Sequence, residues 1–206
     1  MQSQSRIRSL IFAALGIALL AVSAQIQLPV GPVPFTLQTL ALLIIVLALS
    51  PGAAIAAVAG YLVLGAIGLP VGAGFKAGAA WLIGPTGGFL FGFLLAAVLV
   101  ALLRRLTTRQ AGQTRQTVPG KPSSARQGLF RDMAFGVLMI IVYDSFGLLW
   151  FMFSTKSSLL VALSVAVAPF LIPDLLKLIA SVPIFRAVRA ALGNGNLRSR
   201  ADHASR

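Results

Sequence analysis

The sequence predicts an all-α, polytopic membrane protein with six transmembrane helices. Two observations predict it. The 206-residue chain is 58% hydrophobic with only 10% charged residues, and its mean hydropathy is +0.93. A soluble domain carries roughly a quarter of its residues as charges, so this chain has too few to cover a surface facing water. Lipid tails solvate apolar side chains that water rejects, and in that solvent a helix satisfies its own backbone. The charges also cluster between apolar stretches of about the 20 residues needed to cross a bilayer.

The first span runs from about Ile7 to Gln25. Arg6 and Arg8 ahead of it, and Val22-Ser23-Ala24 near its end, imitate a signal peptide. It reads as a retained span because further spans follow. Gln27 to Phe35 holds Pro29, Pro32 and Pro34 with Gly31, a composition that ends a helix and favours extended or turned backbone. Span two covers Thr36 to about Leu49, Ser50-Pro51-Gly52 is a tight turn, and span three runs from Ala53 to about Leu69. A Gly-rich connection from Pro70 to Gly84 carries Lys76 and Trp81. Span four covers about Thr86 to Leu103.

Residues 104–131 are basic and rich in Gln, Thr, Ser, Gly and Pro, which predicts a flexible cytoplasmic linker. Span five covers about Met133 to Phe153 and span six about Leu159 to Val182. Pro169 and Pro173 predict a bend or break in span six. Residues 1–190 thus form one transmembrane domain, and residues 191–206 a disordered basic tail. Both termini and the linker then share the Arg-rich side, while the loops around Lys76 and Lys156 carry one charge each. Lys and Arg are retained in cytoplasmic loops, so both termini are cytoplasmic.

Several function classes drop out. The formal charge of +13 lies in loops and tails and not on a folded soluble surface, so it reads as topology and not as a nucleic-acid interface. The chain has no cysteine and no glutamate, and its one histidine, His203, sits in the polar tail. Metal clusters and paired acid–base catalysts are therefore not expected, nor is any cofactor. Gly120-Lys121 is followed by Pro122, and Arg115 stands where a P-loop has glycine, so no ATP-hydrolysing loop is expected.

Small residues are spaced for close helix packing at Ala14 and Ala18 around Gly16, at Ala53/Ala57, and at Ala56/Gly60. Internal packing accounts for such spacing, and for Ala14 and Ala18 a partner-docking face is an equal reading. Three charged residues fall within predicted spans: Asp144, Asp174 and Lys177. Each costs about 2.5–3.5 kcal/mol at a helix centre on insertion scales, so a compensating reason is expected. Asp174 and Lys177 stand at i, i+3 on one helix face and can partly neutralise each other. A bare salt bridge is one reading. A binding site is the other, because a carboxylate accepts N–H donors and an ammonium meets an oxygen. Asp144 reads equally as a site residue or as one facing cytoplasmic or periplasmic water. Tyr143 beside it offers a ring and a hydroxyl.

Several segments together resemble the BioY family. They are Gln25-Ile26-Gln27-Leu28-Pro29 with Pro32-Val33-Pro34-Phe35-Thr36-Leu37-Gln38-Thr39, then Leu64-Gly65-Ala66-Ile67-Gly68-Leu69-Pro70-Val71 and Gly84-Pro85-Thr86-Gly87-Gly88-Phe89. Pro169-Phe170-Leu171-Ile172-Pro173-Asp174-Leu175-Leu176-Lys177 completes the set. The resemblance implies a biotin-binding, substrate-capture (S) subunit of an energy-coupling factor transporter in a bacterial inner membrane. Implied partners are a transmembrane coupling subunit and two ATPase subunits. The resemblance assigns Asp174 and Lys177 to ligand binding, Thr36 and Gln38 to the first-loop motif, Gly84 and Thr86 to the pocket wall, and Tyr143 to an aromatic position. It places Ala14 and Ala18 at the coupling interface. Lys76 and Asp144 depart from the family's usual pattern. A self-sufficient secondary transporter of biotin or a similar small anion is the alternative.

Overall fold

The computed structural model of the chain describes the backbone of residues 2–28, 33–117 and 125–204, and the side chains of residues 6–28, 33–107 and 126–192. The helices in chain order are α1 (Gln2–Gln25), α2 (Gln38–Ala48), α3 (Pro51–Ala66), α4 (Ala79–Ile83), α5 (Gly87–Thr117), α6 (Ala125–Thr155), α7 (Leu159–Ala166) and α8 (Ala168–Ala204). Between α1 and α2 lies a two-stranded hairpin, β1 (Gln27–Leu28) antiparallel to β2 (Phe35–Thr36), pairing Gln27 with Thr36 and Leu28 with Phe35. The turn prolines 29 and 32 lie outside the described residues. A 3₁₀ turn, Ala73–Phe75, sits in the connection between α3 and α4.

α1, α5, α6 and α8 each contain an apolar stretch long enough to cross a membrane. Their outward faces carry exposed large apolar side chains such as Leu10, Leu15, Ile141, Ile172 and Ile179. Water would reject these and hydrocarbon does not. α2 and α3 are apolar but shorter. At 1.5 Å per residue α2 is about 16 Å long, roughly half the hydrocarbon thickness. It is also the most enclosed helix, with Leu42, Leu43, Val46 and Leu47 fully buried. Among the described residues, four helices are thus long and apolar enough to span, where the sequence predicts six, and α2 and α3 are shorter apolar helices, α2 forming an inner plug.

The other helices wrap this plug. α5 packs along α6, α1 along α3, and α2 along α8, with α3 against α5. The α1–α3 seam uses the predicted small residues: a Cβ added at Gly16 would lie 2.7 Å from the Ala57 Cβ, and one at Gly60 would lie 2.6 Å from the Ile17 side chain. Gly16 is buried while Ala14 and Ala18 are exposed. Internal packing thus runs through Gly16, and the Ala14–Ala18 face of α1 points away from it.

Predicted span six is divided. α7 ends at Ala166, Val167 leaves helical geometry at φ −128° and ψ −54°, and α8 restarts at Ala168. Pro169 then falls in the first turn of α8, where its missing N–H has no intrahelical partner to lose. The break precedes both prolines, and Pro173 and Pro183 remain inside α8. α8 also passes the predicted end at Val182. Fully buried Phe185 and the contacts of Arg189 hold the continuation in place. Helix likewise continues into the segment predicted to be a linker, to Thr117 in α5 and from Ala125 in α6. The linker centre (118–124) and the side chains of the tail lie outside the described residues.

The end of α2 is closed by arginines. The last carbonyls of a helix lack intrahelical donors. Arg104 donates to the Val46 and Leu49 carbonyls, and Arg189 Nε donates to Leu47 at 2.6 Å. Arg189 also forms a bidentate pair with buried Asp132, at 2.5 and 3.2 Å. Arg8 lies at the same end of the bundle and donates to Leu192.

Arg189→Ala would leave both the Leu47 carbonyl and the buried Asp132 carboxylate without this donor. Loss of one partner of such a pair is expected to cost roughly 3 kcal/mol, seen as a lower apparent Tm in detergent. An unchanged Tm would contradict this account of how α2 is anchored.

Candidate functional site

At the opposite end of α2 from the arginines, its first turn carries Thr39 into the bundle. α8 brings Asp174 and Lys177 there, one helical turn apart, and α6 brings Tyr143. The Asp174 carboxylate is 2% exposed and accepts three hydrogen bonds. Its Oδ1 accepts from Thr39 Oγ1 at 2.9 Å and from Lys177 Nζ at 2.9 Å, and its Oδ2 accepts from Tyr143 OH at 2.6 Å. Lys177 Nζ also donates to Thr39 Oγ1 at 2.8 Å. The threonine hydroxyl therefore relays between acid and ammonium, accepting from one and donating to the other. Burying either charge alone would be costly; here the two are paired and hydrogen-bonded. The N-terminal end of α2 adds a positive field beside the carboxylate.

Aromatic rings complete the ammonium's surroundings. Lys177 Nζ lies 4.1 Å from the centre of the Phe35 ring, a cation–π geometry. Phe35 in turn stacks on Phe170 at 6.4 Å. Phe93 meets Tyr143 edge-on at 5.3 Å. Tyr143 can approach α5 because of Gly92: a Cβ there would lie 2.8 Å from the Tyr143 Cα.

The 66–84 connection closes over this region and is itself fastened. Gln38 Nε2 donates to Tyr61 OH at 2.7 Å, and Tyr61 OH donates to the Val71 carbonyl at 3.1 Å. Gln25, the last residue of α1, donates to the Gly72 carbonyl at 3.0 Å and accepts from Phe75 N–H at 3.1 Å. Phe75 holds φ at +58°, a left-handed conformation that bulky residues rarely adopt. Trp81 is buried edge-on against Tyr61 at 5.6 Å. It fits only beside glycine, since a Cβ at Gly65 would lie 2.0 Å from its ring.

These groups enclose a cavity of about 80 Å³ lined by Thr36, Gln38, Thr39, Trp81, Thr86, Tyr143, Asp144, Asp174 and Lys177, with apolar walls from Phe89, Phe93 and Phe170. The structure thus brings together six of the seven residues assigned from sequence. The seventh, Gly84, does not line this cavity. It lines an adjoining cleft with Lys76 and Thr86, and its carbonyl accepts from Trp150 Nε1 at 3.0 Å. Thr36 also receives the Gln38 N–H at 3.3 Å, shaping the entry to α2.

Sequence reasoning missed Thr39, legible only as part of a polar flank, and Phe35 and Trp81, whose partners are remote in the chain. It also left Asp132 unexamined because it sits beside Arg131 at the linker's edge. Among the described residues no group of three His, Cys, Asp or Glu could hold a metal ion. The arrangement can offer a ligand carboxylate acceptors, an ammonium donor and aromatic faces inside an apolar wall.

Comparison with known proteins agrees with this picture. The BioY family model matches residues 1–194. The chain is 37% identical over 177 residues to Biotin transporter BioY of Thermotoga maritima, covering 86% of this chain and 93% of that protein. It is 32% identical over 193 residues to Biotin transporter BioY2 of Lactococcus lactis subsp. cremoris, covering 93% and 96%. Its fold matches the crystal structure of an S-component for biotin from an ECF-type ABC transporter with a TM-score of 0.78 and 25% identity, covering 92% of this chain and 95% of that one.

Thr39→Val keeps the side chain's shape and deletes the relay hydroxyl. The ligand-free protein is expected to lose about 1–3 kcal/mol, the cost of an unmade buried hydrogen bond, and Thr39→Ser should recover most of it. Equal Tm values for the three proteins would show that the relay does not hold the pair.

Proposed function

This chain belongs to the BioY family, and from that premise we propose that it takes up biotin as the substrate-capture subunit of an energy-coupling factor transporter. The observation that carries the reading is the cavity over the first turn of α2, where an acid, an ammonium and a phenol are held in one buried network. Biotin's ureido ring presents two N–H donors and a carbonyl, and its tail ends in a carboxylate. Asp174 and Lys177 form the polar floor for such a ligand, with Thr39 and Tyr143 fixing the carboxylate's orientation. Thr36, Gln38 and Thr86 border the same space, and the aromatic walls take the thiophane ring and the alkyl chain.

Capture and energy input reside on different chains in this reading. A transmembrane coupling subunit and two ATPase subunits supply the driving force. The Ala14–Ala18 face of α1 is the proposed coupling interface, supported by its exposure and by the use of Gly16, and not these alanines, in the α1–α3 seam. The arginine-rich end of the bundle faces the cytoplasm, as retention of Lys and Arg on that side requires. The cavity then opens toward the outer face of the inner membrane, and both termini lie inside the cell.

Labelled-biotin uptake by cells that make this chain with and without coupling and ATPase subunits tests the division of labour. Uptake is expected only with the full set, and undiminished uptake by the chain alone would identify a secondary transporter instead. For the site, Asp174→Asn or Lys177→Ala should weaken equilibrium biotin binding to the purified protein by about 1–3 kcal/mol, because each leaves a buried partner unpaired. Wild-type affinity in both variants would reject the site.

A further inference from the structure

The arginines that close the far end of α2 also line a space of their own. Arg8 of α1, Arg104 of α5 and Arg189 of α8 converge on a separate cleft of about 430 Å³, together with Ser9 and Ser50. All three guanidinium side chains are half-buried. Each donates to at least one backbone carbonyl: Arg8 to Leu192, Arg104 to Val46 and Leu49, and Arg189 to Leu47. A carbonyl occupies a donor but neutralises no charge. The Asp132 carboxylate pairs with Arg189 and does not line the cleft. Composition prevents the chain from balancing this end itself. It has 17 Lys and Arg against 4 Asp and Glu, and Asp144 and Asp174 line the cavity at the other end of α2. Asp132 and Asp202 are left for all the basic residues of the arginine-rich end. Converging guanidinium groups in excess over carboxylates suit a phosphate, whose oxygens match their planar fork.

What adjoins the cleft selects the kind of phosphate. On α1, Leu15, Leu19 and Val22 follow Arg8 at i+7, i+11 and i+14, so one stripe of the helix carries all four. The three apolar side chains are large and exposed. From Arg8 to Val22 the stripe runs about 21 Å at 1.5 Å per residue, more than the roughly 15 Å of one leaflet's hydrocarbon. A soluble phosphate would use the cleft and leave the stripe idle, whereas a phospholipid uses both. Ser50 Oγ accepts the Ala53 N–H at 3.4 Å, which leaves its hydroxyl proton for a headgroup oxygen.

We propose that this cleft binds the headgroup phosphate of an anionic phospholipid, with an acyl chain along the Arg8–Leu15–Leu19–Val22 stripe. Basic pockets between transmembrane helices take such head groups. The lipid supplies the counter-charge that the chain lacks and joins α1, α5 and α8 where α2 stops short. A zwitterionic lipid brings its own ammonium and so gains less from the cleft.

Native mass spectrometry of the purified full chain in uncharged detergent tests this with phosphatidylglycerol and with phosphatidylcholine of the same acyl chains. Phosphatidylglycerol should bind about fivefold or more tightly than phosphatidylcholine, and Arg8→Gln should weaken it about fivefold, the scale of one arginine at an anionic headgroup. Arg6→Gln is the control: it removes the same charge from the same helix end, but Arg6 is exposed and does not line the cleft. It should leave phosphatidylglycerol binding unchanged. Glycerol phosphate, a head without chains, should not displace the lipid at concentrations where the lipid saturates. Equal affinity of the unaltered chain for the two lipids would overturn the proposal without need of any variant. Equal losses in Arg8→Gln and Arg6→Gln would reduce the effect to diffuse surface charge and overturn the site. Displacement by glycerol phosphate would assign the cleft to a soluble phosphate and overturn the lipid.

Discussion

The structure depends on one buried carboxylate. Asp174 cannot sit in the middle of an apolar bundle unless its charge is compensated and its oxygens are filled. Compensation comes from its own helix, through Lys177 one turn later. Two further hydrogen bonds come from other helices, from Thr39 of α2 and Tyr143 of α6. Three helices far apart in sequence are thereby fixed to a single group. The requirement of the charge and the convergence of the bundle are the same constraint.

Other features follow from holding that point in place. α2 must stop partway through the bilayer so that its first turn meets the carboxylate, and its other end then needs a replacement for the helix it does not continue. Arg104 and Arg189 supply that by taking the terminal carbonyls, with Asp132 steadying Arg189. Above the carboxylate, the connection after α3 needs a floor and a hinge. Tyr61 and Gln38 provide the floor, and Gln25 fastens the strained Phe75 turn from the end of α1. The site is built mainly from helix side chains, and the connection over it is fastened by Gln25, Gln38 and Tyr61 from α1, α2 and α3.

Much of this was legible in the sequence because the membrane makes charge conspicuous. Asp174 and Lys177 stand out as an i, i+3 pair in an apolar run, and Tyr143 stands beside Asp144, whereas Thr36 and Gln38 are assigned by the resemblance to the BioY family. What was not legible depends on distance in the chain. Thr39 is one polar residue in a polar flank until α8 arrives beside it, 135 residues away. Phe35 becomes a cation–π partner only once Lys177 lies over its ring. Asp132 passes as the edge of a basic linker until Arg189 reaches it. The break in span six was expected at the prolines, but it falls at Val167, because a proline is best accommodated in the first turn of the helix that follows. Gly84 shows the limit of motif transfer: it belongs to the right loop, yet its carbonyl serves Trp150 and the neighbouring cleft.

The central proposal is that the Asp174–Lys177 pair, besides joining three helices, binds a ligand and is more than an internal salt bridge. The double variant Asp174→Leu with Lys177→Met separates those roles, because replacing a buried ion pair by apolar residues of similar volume is often neutral or stabilising. Biotin titration and thermal unfolding of this variant are the direct measurement. The account predicts a protein that still folds, melts lower because the buried Thr39 and Tyr143 hydroxyls lose their acceptor, and binds no biotin. Retained biotin affinity would contradict it and reduce the pair to an internal salt bridge.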